Sequence, residues 1–483
     1  MLRLNRPGQL LGNAVSSMIL DMDSVLYEPK EERQALVGQS PMAEAELPGG
    51  TDRGSGCMRI LLACAAFPPY GRGGGAIGSA LIAKALATQP TEVRVLVVGD
   101  DEQREQRGGI EVVTTAPLNV YRDWLRKDKP ILKKLVWHLL ENFNPVAYWR
   151  IKQELRSYRP NVLMTISTEN VNVASWMAAR SLGIPCVHLA QSYFLMCWHG
   201  SLFRDGANCF RCRSCRLLSL GKKYLSRYVD ALITETDFLR RIHQDAGYFP
   251  KAKTYVIPGA LDSSALSRHV RRNGLRVGFI GVHTREKGIE TLAAAARRLA
   301  DRSDIRFLIA GSGDPSYTDE LTVQFPSGNT TFCGWVNPEE FYPKIDVVVV
   351  PSIWREPFGR VSIEGACYGV PAIVTRAGGL PENVEHGHDG FVFEPHDDMD
   401  LAGLLKRLAE NPELYNRVSQ GARERARLYS LHKIGQRLHS CLTQVIDRKR
   451  GSVPTNTPPS RHDRVSINRS HGETEQRSSA EAL

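Results

Sequence analysis

The strongest constraint on the fold is a series of short apolar runs, each followed by a glycine-containing loop and a helix-forming segment. One series starts at residues 59–65 and a second starts at residues 275–281. Buried runs of this length are typical of parallel strands, and each loop and helix return the chain to the same edge of the sheet. The sequence therefore predicts an α/β protein with two Rossmann-like lobes that face each other across a cleft.

The domain boundaries follow changes in composition along the chain. Residues 1–57 are punctuated by Gly, Pro and Glu, which predicts a flexible N-terminal extension. Residues 58–262 are expected to form the first lobe. A polar hinge is expected at 263–274, and the second lobe at 275–448, with a late helix at 423–442. Residues 449–483 are rich in Ser, Thr, Arg and Pro, which predicts a disordered tail.

The charge and composition of the chain limit its partners and its location. The 483 residues have a net charge of +10, an isoelectric point near 9.1 and an apolar fraction of 42%, which is enough for more than one core. A basic protein favours nucleotide phosphates, an anionic membrane surface or nucleic acid. No apolar run approaches the roughly eighteen residues of a membrane span, and the first residues lack the apolar core of a signal peptide. We therefore expect a cytoplasmic protein.

One stretch of the second lobe places two carboxylates beside a phosphate-type site. The apolar run 347–350 is followed by a loop, a short helix predicted at 359–368 and another apolar run at 371–375. The start of such a helix has unpaired N–H groups that favour anions. Glu356 and Glu364 flank it, and their carboxylates can accept hydrogen bonds from sugar or ribose hydroxyls. The alternative is that the first is an ordinary loop residue and the second a solvated helix position.

These residues are similar to the signature of a known family. Glu356-Pro-Phe-Gly-Arg-Val-Ser-Ile-Glu364 resembles the E-x7-E motif of retaining GT-B glycosyltransferases of family 4. The surrounding segments P-S-x-x-x-E-P-F-G, G-V-P-A-I-V-T and G-G-L-P-E occur in the family's order, and the similarity covers about residues 58–445. The resemblance implies a GT-B fold and retaining transfer of a sugar from a nucleotide-sugar donor to an acceptor hydroxyl. It also implies that catalysis needs no divalent metal.

The resemblance assigns the catalytic and donor-binding residues to the second lobe. Lys287 would grip the donor diphosphate, and Arg285 would compensate for an arginine that the family has at the position of Val282. Glu356 would hold the sugar hydroxyls, and Glu364 would hold the ribose. The donor pocket would also contain a helix start and several glycine turns, namely Phe358, Gly359, Arg360, Gly281, Gly311, Gly378 and Gly379.

The acceptor side of the cleft is expected in the first lobe. Gly73, Gly74 and Gly75 lie between the first strand and the first helix, where glycine lets the backbone approach a ligand closely or simply forms a tight turn. The family usually has a His-Asp pair where this chain has Gln191 and Ser192. Glutamine can hydrogen-bond a hydroxyl but cannot take a charge. The resemblance implies a carbohydrate or lipid-linked acceptor, in polysaccharide or glycolipid assembly.

Three departures from the family pattern favour an alternative function. They are Gln191, Val282 and Gly259, and each replaces a residue that the family usually has at a site of contact with the donor or near it. A protein with these changes could hold a nucleotide-sugar without turning it over. The sequence thus leaves two functions open, a glycosyltransferase and a non-catalytic nucleotide-sugar-binding protein of the same fold.

Four cysteines form a cluster in the first lobe with the spacing C-x11-C-x2-C-x2-C. They are Cys197, Cys209, Cys212 and Cys215. Thiolates at such spacings suit tetrahedral zinc, and a subset of the resembled family has a similar insertion at 197–215. Reduced loop thiols and redox or disulfide chemistry are the two alternatives.

Residues 121–158 combine basic side chains with apolar residues at helical spacing. This pattern is typical of a domain helix with a solvated basic face, and it is also found in amphipathic helices that dock on anionic lipid. Docking on lipid would imply peripheral attachment to the inner face of the membrane. We expect no specific nucleic-acid partner. Weak and fully salt-sensitive binding through the arginines beside the cysteine cluster would mark any such binding as nonspecific.

Overall fold

The computed structural model describes most of the chain between its two ends. The described residues are 57–71, 73–120, 131–197, 199–209, 212–262 and 273–451. The predicted N-terminal extension, except Cys57, lies outside them. So do the predicted hinge, except residues 273 and 274, and the predicted tail, except residues 449–451.

The described part of the first lobe contains one large sheet and one small hairpin. The sheet strands are β1 (Met58–Cys64), β2 (Thr91–Val98), β3 (Gln103–Arg107), β4 (Ile110–Thr115), β5 (Val162–Ile166), β6 (Cys186–Ala190), β9 (Ala231–Thr234) and β10 (Lys253–Val256). The hairpin consists of β7 (Phe203–Arg204) and β8 (Ala207–Asn208). The sheet order is β10-β9-β6-β5-β1-β2-β4-β3, and every pair except β3–β4 is parallel. Every residue of β5 and β6 is buried, as expected for strands covered by helices on both faces.

Helices of the first lobe cover both faces of this sheet. They are α1 (Gly73–Ala87), α2 (Ile131–Asn142), α3 (Pro145–Tyr158), α4 (Ala174–Ser181), α5 (Arg213–Leu218), α6 (Leu220–Leu225) and α7 (Asp237–Asp245). Local sequence explains where α3 and α7 begin. The Asn144 side chain accepts hydrogen bonds from the first backbone N–H groups of α3, and Thr236 caps α7 in the same way.

The second lobe is a parallel sheet of six strands among the described residues. Its strands are β11 (Leu275–Ile280), β12 (Ile305–Ala310), β13 (Thr330–Gly334), β14 (Val347–Val350), β15 (Ala372–Thr375) and β16 (Gly390–Phe393), in the order β13-β12-β11-β14-β15-β16. Its helices are α8 (Ile289–Arg298), α9 (Pro315–Gln324), α10 (Pro338–Phe341), α11 (Val361–Glu364), α12 (Asp398–Glu410) and α13 (Pro412–Ala426). Two sheets of this kind confirm the predicted fold class.

The last helix, α14 (Leu431–Arg450), joins the two lobes. Its residues Ile434, Leu438 and Leu442 are buried in the core of the first lobe, on the face of the sheet that α1 also covers. The sequence pattern predicted one helix over 423–442, and this prediction was wrong in its bounds. Residues 427–429 form a single 3-10 turn after α13, the backbone leaves the helical conformation at Ser430, and the Ser430 side chain caps the new helix. The break turns α14 toward the first lobe.

None of the helices within the described residues is both long enough and apolar enough to cross a membrane.

Candidate active site

The loop between β14 and α11, residues 351–360, contains the first predicted carboxylate and is called the Glu356 loop below. Glu356 is only 6% exposed. Its Oε1 atom accepts hydrogen bonds from Lys287 Nζ at 2.7 Å and from Ser352 Oγ at 3.1 Å. Lys287 lies in the turn before α8, 69 residues earlier in the chain. The structure thus brings the predicted catalytic lysine and glutamate into one partly buried ion pair.

Backbone contacts fix the Glu356 loop against the turn that contains Gly378 and Gly379. The Gly379 N–H donates to the Glu356 carbonyl at 2.7 Å. Gly378 has a φ of +64°, and a Cβ at this position would lie 2.3 Å from the same carbonyl oxygen. Only glycine fits there, because any larger residue would clash with the backbone and would need an unfavourable φ. Both predicted glycines therefore support Glu356 through the backbone.

Glu364 lies one helical turn beyond the Glu356 loop and has two polar partners. Tyr342 Oη donates to its Oε2 atom at 3.1 Å, and Arg360 Nε lies 3.2 Å from its Oε1 atom. Arg360 also donates from Nη1 to the Ala260 carbonyl of the first lobe at 3.3 Å. Arg360 thus connects the second predicted carboxylate to the opposite side of the cleft.

The remaining predicted donor residues have two kinds of environment. Most lie in closely packed backbone turns, and Arg285 forms ion pairs at the surface. Gly311 has a φ of +124°, and a Cβ there would lie 1.8 Å from the Gly281 carbonyl oxygen, so the end of β12 needs glycine at this position. A Cβ on Gly281 would make only ordinary contacts, at 3.6 Å from the Phe279 ring. Phe358 is buried, and Gly359 has a φ of +78°. Arg285 lies apart from the Lys287–Glu356 pair, because its exposed guanidinium pairs with Glu290 and Glu320 at 3.5 and 3.1 Å.

The predicted acceptor-side residues face the start of α11. Gly73, Gly74 and Gly75 form the first residues of α1, and a Cβ on Gly74 would lie 3.8 Å from the Cδ atom of Arg360. Gln191, just after β6, approaches α1, since a Cβ on Gly78 would lie 2.9 Å from its Nε2 atom. The two lobes therefore meet where the sequence predicted a cleft.

Sequence reasoning missed Glu235, which lies at the end of β9 and touches this cleft. It is 6% exposed, and its Oε1 atom accepts a hydrogen bond from Gln191 Nε2 at 3.2 Å. A Cβ on Gly259 would lie 2.9 Å from this oxygen and 2.8 Å from the Phe358 ring. Burial raises the pKa of Glu235 to about 7, although Arg360 and Gln191 act in the opposite direction. No sequence motif identifies Glu235. The one indication in the sequence was Gly259, which departs from the family pattern and lies against this carboxyl.

Replacing Glu235 with glutamine is expected to stabilise the protein at pH 8. The folded chain binds the proton more tightly than the unfolded chain, because the pKa rises from its usual 4.5 to about 7. Stability is therefore lost as pH rises through this window, by about 3 kcal/mol when the loss is complete. Thermal melts at pH 8 should show a higher Tm for Glu235→Gln than for the native chain, with the difference shrinking toward pH 5. A lower Tm at pH 8 would show that an ionised Glu235 stabilises the fold.

The four predicted cysteine ligands gather at the base of the β7–β8 hairpin. The thiol of Cys215 makes hydrogen-bonding contacts with the thiols of Cys197 and Cys212. The thiol of Cys209 interacts electrostatically with Cys197 and with Cys212. The contact with Cys215 lowers the pKa of Cys197 to about 6. All ten cysteines lie in the described ranges, and none forms a disulfide.

A different trio has the tightest arrangement of potential metal ligands in the described part of the chain. Glu385, His388 and Asp389 bring one ligand atom each within 4.8 Å of one another, whereas no three of the four sulfurs of the predicted ligand cysteines lie that close together. Arg425 contacts both carboxylates of this trio, with a distance of 3.5 Å to Glu385. The trio is therefore explained as an ion-pair cluster.

Comparisons with known proteins agree with the two-lobed architecture. The family model for glycosyl transferases group 1 matches residues 269–425, and the model for a glycosyl transferase 4-like domain matches residues 73–260. A D-inositol 3-phosphate glycosyltransferase of Saccharomonospora viridis is 36% identical over 306 residues, or 58% of this chain and 69% of that protein. A protein in the cps region of Klebsiella pneumoniae, described as uncharacterized, is 26% identical over 71% of this chain and 92% of its own length.

Solved structures show the same fold at lower identity. Sucrose-phosphate synthase from Thermosynechococcus elongatus has a TM-score of 0.64 and 19% identity, covering 81% of this chain and 100% of its own. HepE of Anabaena, solved in complex with UDP-glucose, has a TM-score of 0.58 and 19% identity, covering 80% of this chain and 100% of its own. These likenesses confirm the GT-B fold, and together with the family matches they show that the chain belongs to the glycosyl transferases group 1 family.

Proposed function

We propose that this protein transfers a sugar from a nucleotide-sugar to an acceptor hydroxyl and retains the configuration of the anomeric carbon. The observation that supports this most directly is the 2.7 Å contact between Lys287 and Glu356 beside the interlobe cleft. This contact places a cation and a carboxylate side by side. The transfer needs the cation to neutralise the negative charge of the departing diphosphate and the carboxylate to hold the sugar.

Each side chain of the pair has a separate role in this proposal. Lys287 is partly exposed, so its ammonium group can reach a diphosphate placed in the cleft. Glu356 accepts hydrogen bonds from sugar hydroxyls and keeps the anomeric carbon in position. Glu364 accepts from the ribose, and Arg360 adds positive charge at the start of α11. The transfer needs no protein base for the acceptor hydroxyl, because a donor phosphate oxygen can take its proton.

No divalent metal is proposed for the transfer, because Lys287 and Arg360 supply positive charge for the diphosphate. Arg285 would contact the donor only if its side chain left Glu290 and Glu320, and its exposed position leaves room for that movement. We therefore assign Arg285 an auxiliary role in attracting the donor.

A thermal-shift screen with UDP-, GDP- and ADP-glucose tests donor binding directly. A ligand that binds only the folded chain raises the free energy of unfolding by mass action, and Tm rises with it. The gain is about 2.7 kcal/mol at a ligand concentration of a hundred times the dissociation constant. UDP-glucose is the first choice, since HepE of the same fold was solved in complex with it. The absence of any shift with a full panel of nucleotide-sugars would contradict the proposal.

A non-catalytic nucleotide-sugar-binding protein remains the second candidate. Gln191 supports it, because glutamine occupies the position of a family histidine and its amide is already engaged with Glu235. Donor binding without release of the nucleoside diphosphate, with water or any acceptor, would favour this candidate. Release that depends on Glu356 would exclude it.

We further propose that the acceptor is carbohydrate or lipid-linked, in polysaccharide or glycolipid assembly, and that the protein reaches it at an anionic membrane surface. The support is a surface of α2 and α3 on which large apolar side chains are exposed. Val146 and Trp149 are each 61% exposed and Leu139 is 58% exposed. Lys152 and Arg156 line the same groove as Val146 and Trp149. Basic residues near an anionic surface contribute about 1 kcal/mol each.

Replacing Trp149 with serine is expected to weaken binding to vesicles that contain phosphatidylglycerol. The indole ring is a good interfacial anchor, and Lys152 Nζ lies 5.4 Å from its centre, which pairs the apolar and the basic contact. Co-sedimentation with vesicles should fall several-fold for Trp149→Ser and stay unchanged for Trp335→Ser, a substitution of a 65% exposed tryptophan of the second lobe. Equal sedimentation of all three proteins, or none with the native chain, would contradict this surface.

A further inference from the structure

The insertion at 197–215 contacts the Glu356 loop directly. The side-chain amide of Asn208 donates from Nδ2 to the Ile353 carbonyl at 2.7 Å and accepts at Oδ1 from the Arg355 N–H at 3.0 Å. The Trp354 indole donates from Nε1 to the Ser201 carbonyl at 2.6 Å. Three consecutive residues of the loop are therefore held by the insertion.

These contacts lie next to the proposed catalytic pair. Glu356 follows Arg355 directly, and Lys287 Nζ lies 5.0 Å from the centre of the Trp354 ring. Tyr193, just before the insertion, also donates to the Arg355 carbonyl. A shift of the insertion would therefore move the backbone that presents the Glu356 carboxylate.

The insertion has little else in the described residues to hold its shape. Its strands β7 and β8 are two residues each, and a pair so short is not stable alone. Leu202, Cys197 and Cys215 are buried, but residues 204–207 are exposed. Beyond these buried residues and the hydrogen bonds to the Glu356 loop, the described part of the hairpin has few contacts that fix its shape.

Four cysteines lie on either side of the hairpin, at its base. They are called the cysteine set below: Cys197, Cys209, Cys212 and Cys215. One precedes the hairpin and three follow it, so a bond among them closes its base. The Cys215 thiol contacts two of the others. A single disulfide would use two thiols and leave two, whereas one tetrahedral metal ion uses all four.

We propose that the cysteine set binds one zinc ion, and that this ion holds the insertion against the Glu356 loop. On binding, each thiol loses its proton to solvent and becomes a thiolate ligand, with no change of oxidation state. Zinc–sulfur bonds of about 2.3 Å would bring the sulfurs, which now meet in pairs, into one tetrahedron. Metal binding itself is independent of the proposed function, whereas the benefit of a fixed loop for sugar transfer rests on it.

Metal analysis of the purified full chain tests the site. The native chain should contain about one zinc per chain, and Cys212→Ser should lose at least about 70% of it, because three thiolates bind more weakly than four. Cys333→Ser, which removes a half-buried thiol of the second lobe, is the matched control and should keep its zinc. Less than about 0.3 zinc per native chain, with all thiols intact and zinc supplied during growth, would overturn the proposal.

Hydrogen exchange of the Glu356 loop tests the coupling without relying on activity. The Arg355 amide is protected by its bond to Asn208, so removal of zinc with a chelator should speed its exchange at least about tenfold. Asn208→Ala should show the same fast exchange while it keeps its zinc. Unchanged exchange in both the zinc-free chain and Asn208→Ala would overturn the coupling. If the exchange responds as expected but no nucleotide-sugar binds, the proposed function fails and this inference stands.

Discussion

Glu356→Gln is expected to lower sugar transfer by at least about 100-fold, the usual cost of removing one charged group that stabilises a transition state. The native carboxylate is buried and accepts hydrogen bonds from Lys287 and Ser352. Glutamine keeps its size and one acceptor oxygen, so the loop should keep its shape while the negative charge disappears. Release of the nucleoside diphosphate from the donor measures the effect.

The control for this substitution is Glu394→Gln, which makes the same chemical change at an exposed residue paired with Arg376. It should leave the rate unchanged. Because Glu356 is assigned to the sugar and not to the diphosphate, Glu356→Gln should bind free UDP as well as the native chain does. A rate within about threefold of native would remove Glu356 from the catalytic machinery, because losses of a charged contact are larger than that.

Lys287→Met is expected to weaken donor binding by about 10- to 100-fold, because hydrogen bonds to charged groups contribute about 1.5–3 kcal/mol. Methionine fills a similar space but cannot balance the diphosphate. The substitution also leaves the Glu356 carboxylate buried without its cation, with the Ser352 hydroxyl still donating to it, so it should lower the free energy of unfolding. Calorimetric titration with the donor and urea denaturation measure the two effects.

A double substitution separates these two effects of Lys287. Lys287→Met with Glu356→Gln removes both charges, so no unpaired buried charge remains and stability should return toward that of Glu356→Gln alone. Donor binding should stay weak. The control is Lys406→Met, which removes an exposed lysine of α12. Additive losses of stability in the double variant would show that the ion pair does not couple these residues.

The elements of the fold that depend on local pattern were predictable from the sequence. The strands β11, β12 and β14 stand out as apolar runs, and Gly311, at the end of β12, marks a close backbone approach. The contact between Lys287 and Glu356 was predictable only because motifs identify both residues. In contrast, the helix break at 427–430 was missed, although Ser430 is a typical capping residue.

The parts of the site that depend on tertiary contacts were not predictable. Arg285 was expected beside the diphosphate, yet its carboxylate partners come from α8 and from α9, and no local pattern indicates this choice. Glu235 was missed because a carboxyl at the end of a buried strand has no motif. Likewise, the spacing of the cysteines indicates a ligand set, but the contact of Asn208 with the Glu356 loop joins residues 145 positions apart.

The most direct test of the central claim is proton NMR of the sugar formed from the nucleotide-sugar that gives the largest thermal shift. The native chain and Glu356→Gln are compared, with water as the acceptor if no other is found. The proposed mechanism predicts that the native chain first releases the sugar with the anomeric configuration of the donor, and that Glu356→Gln releases almost none. Release of the opposite anomer first, or equal release by both proteins, would contradict it.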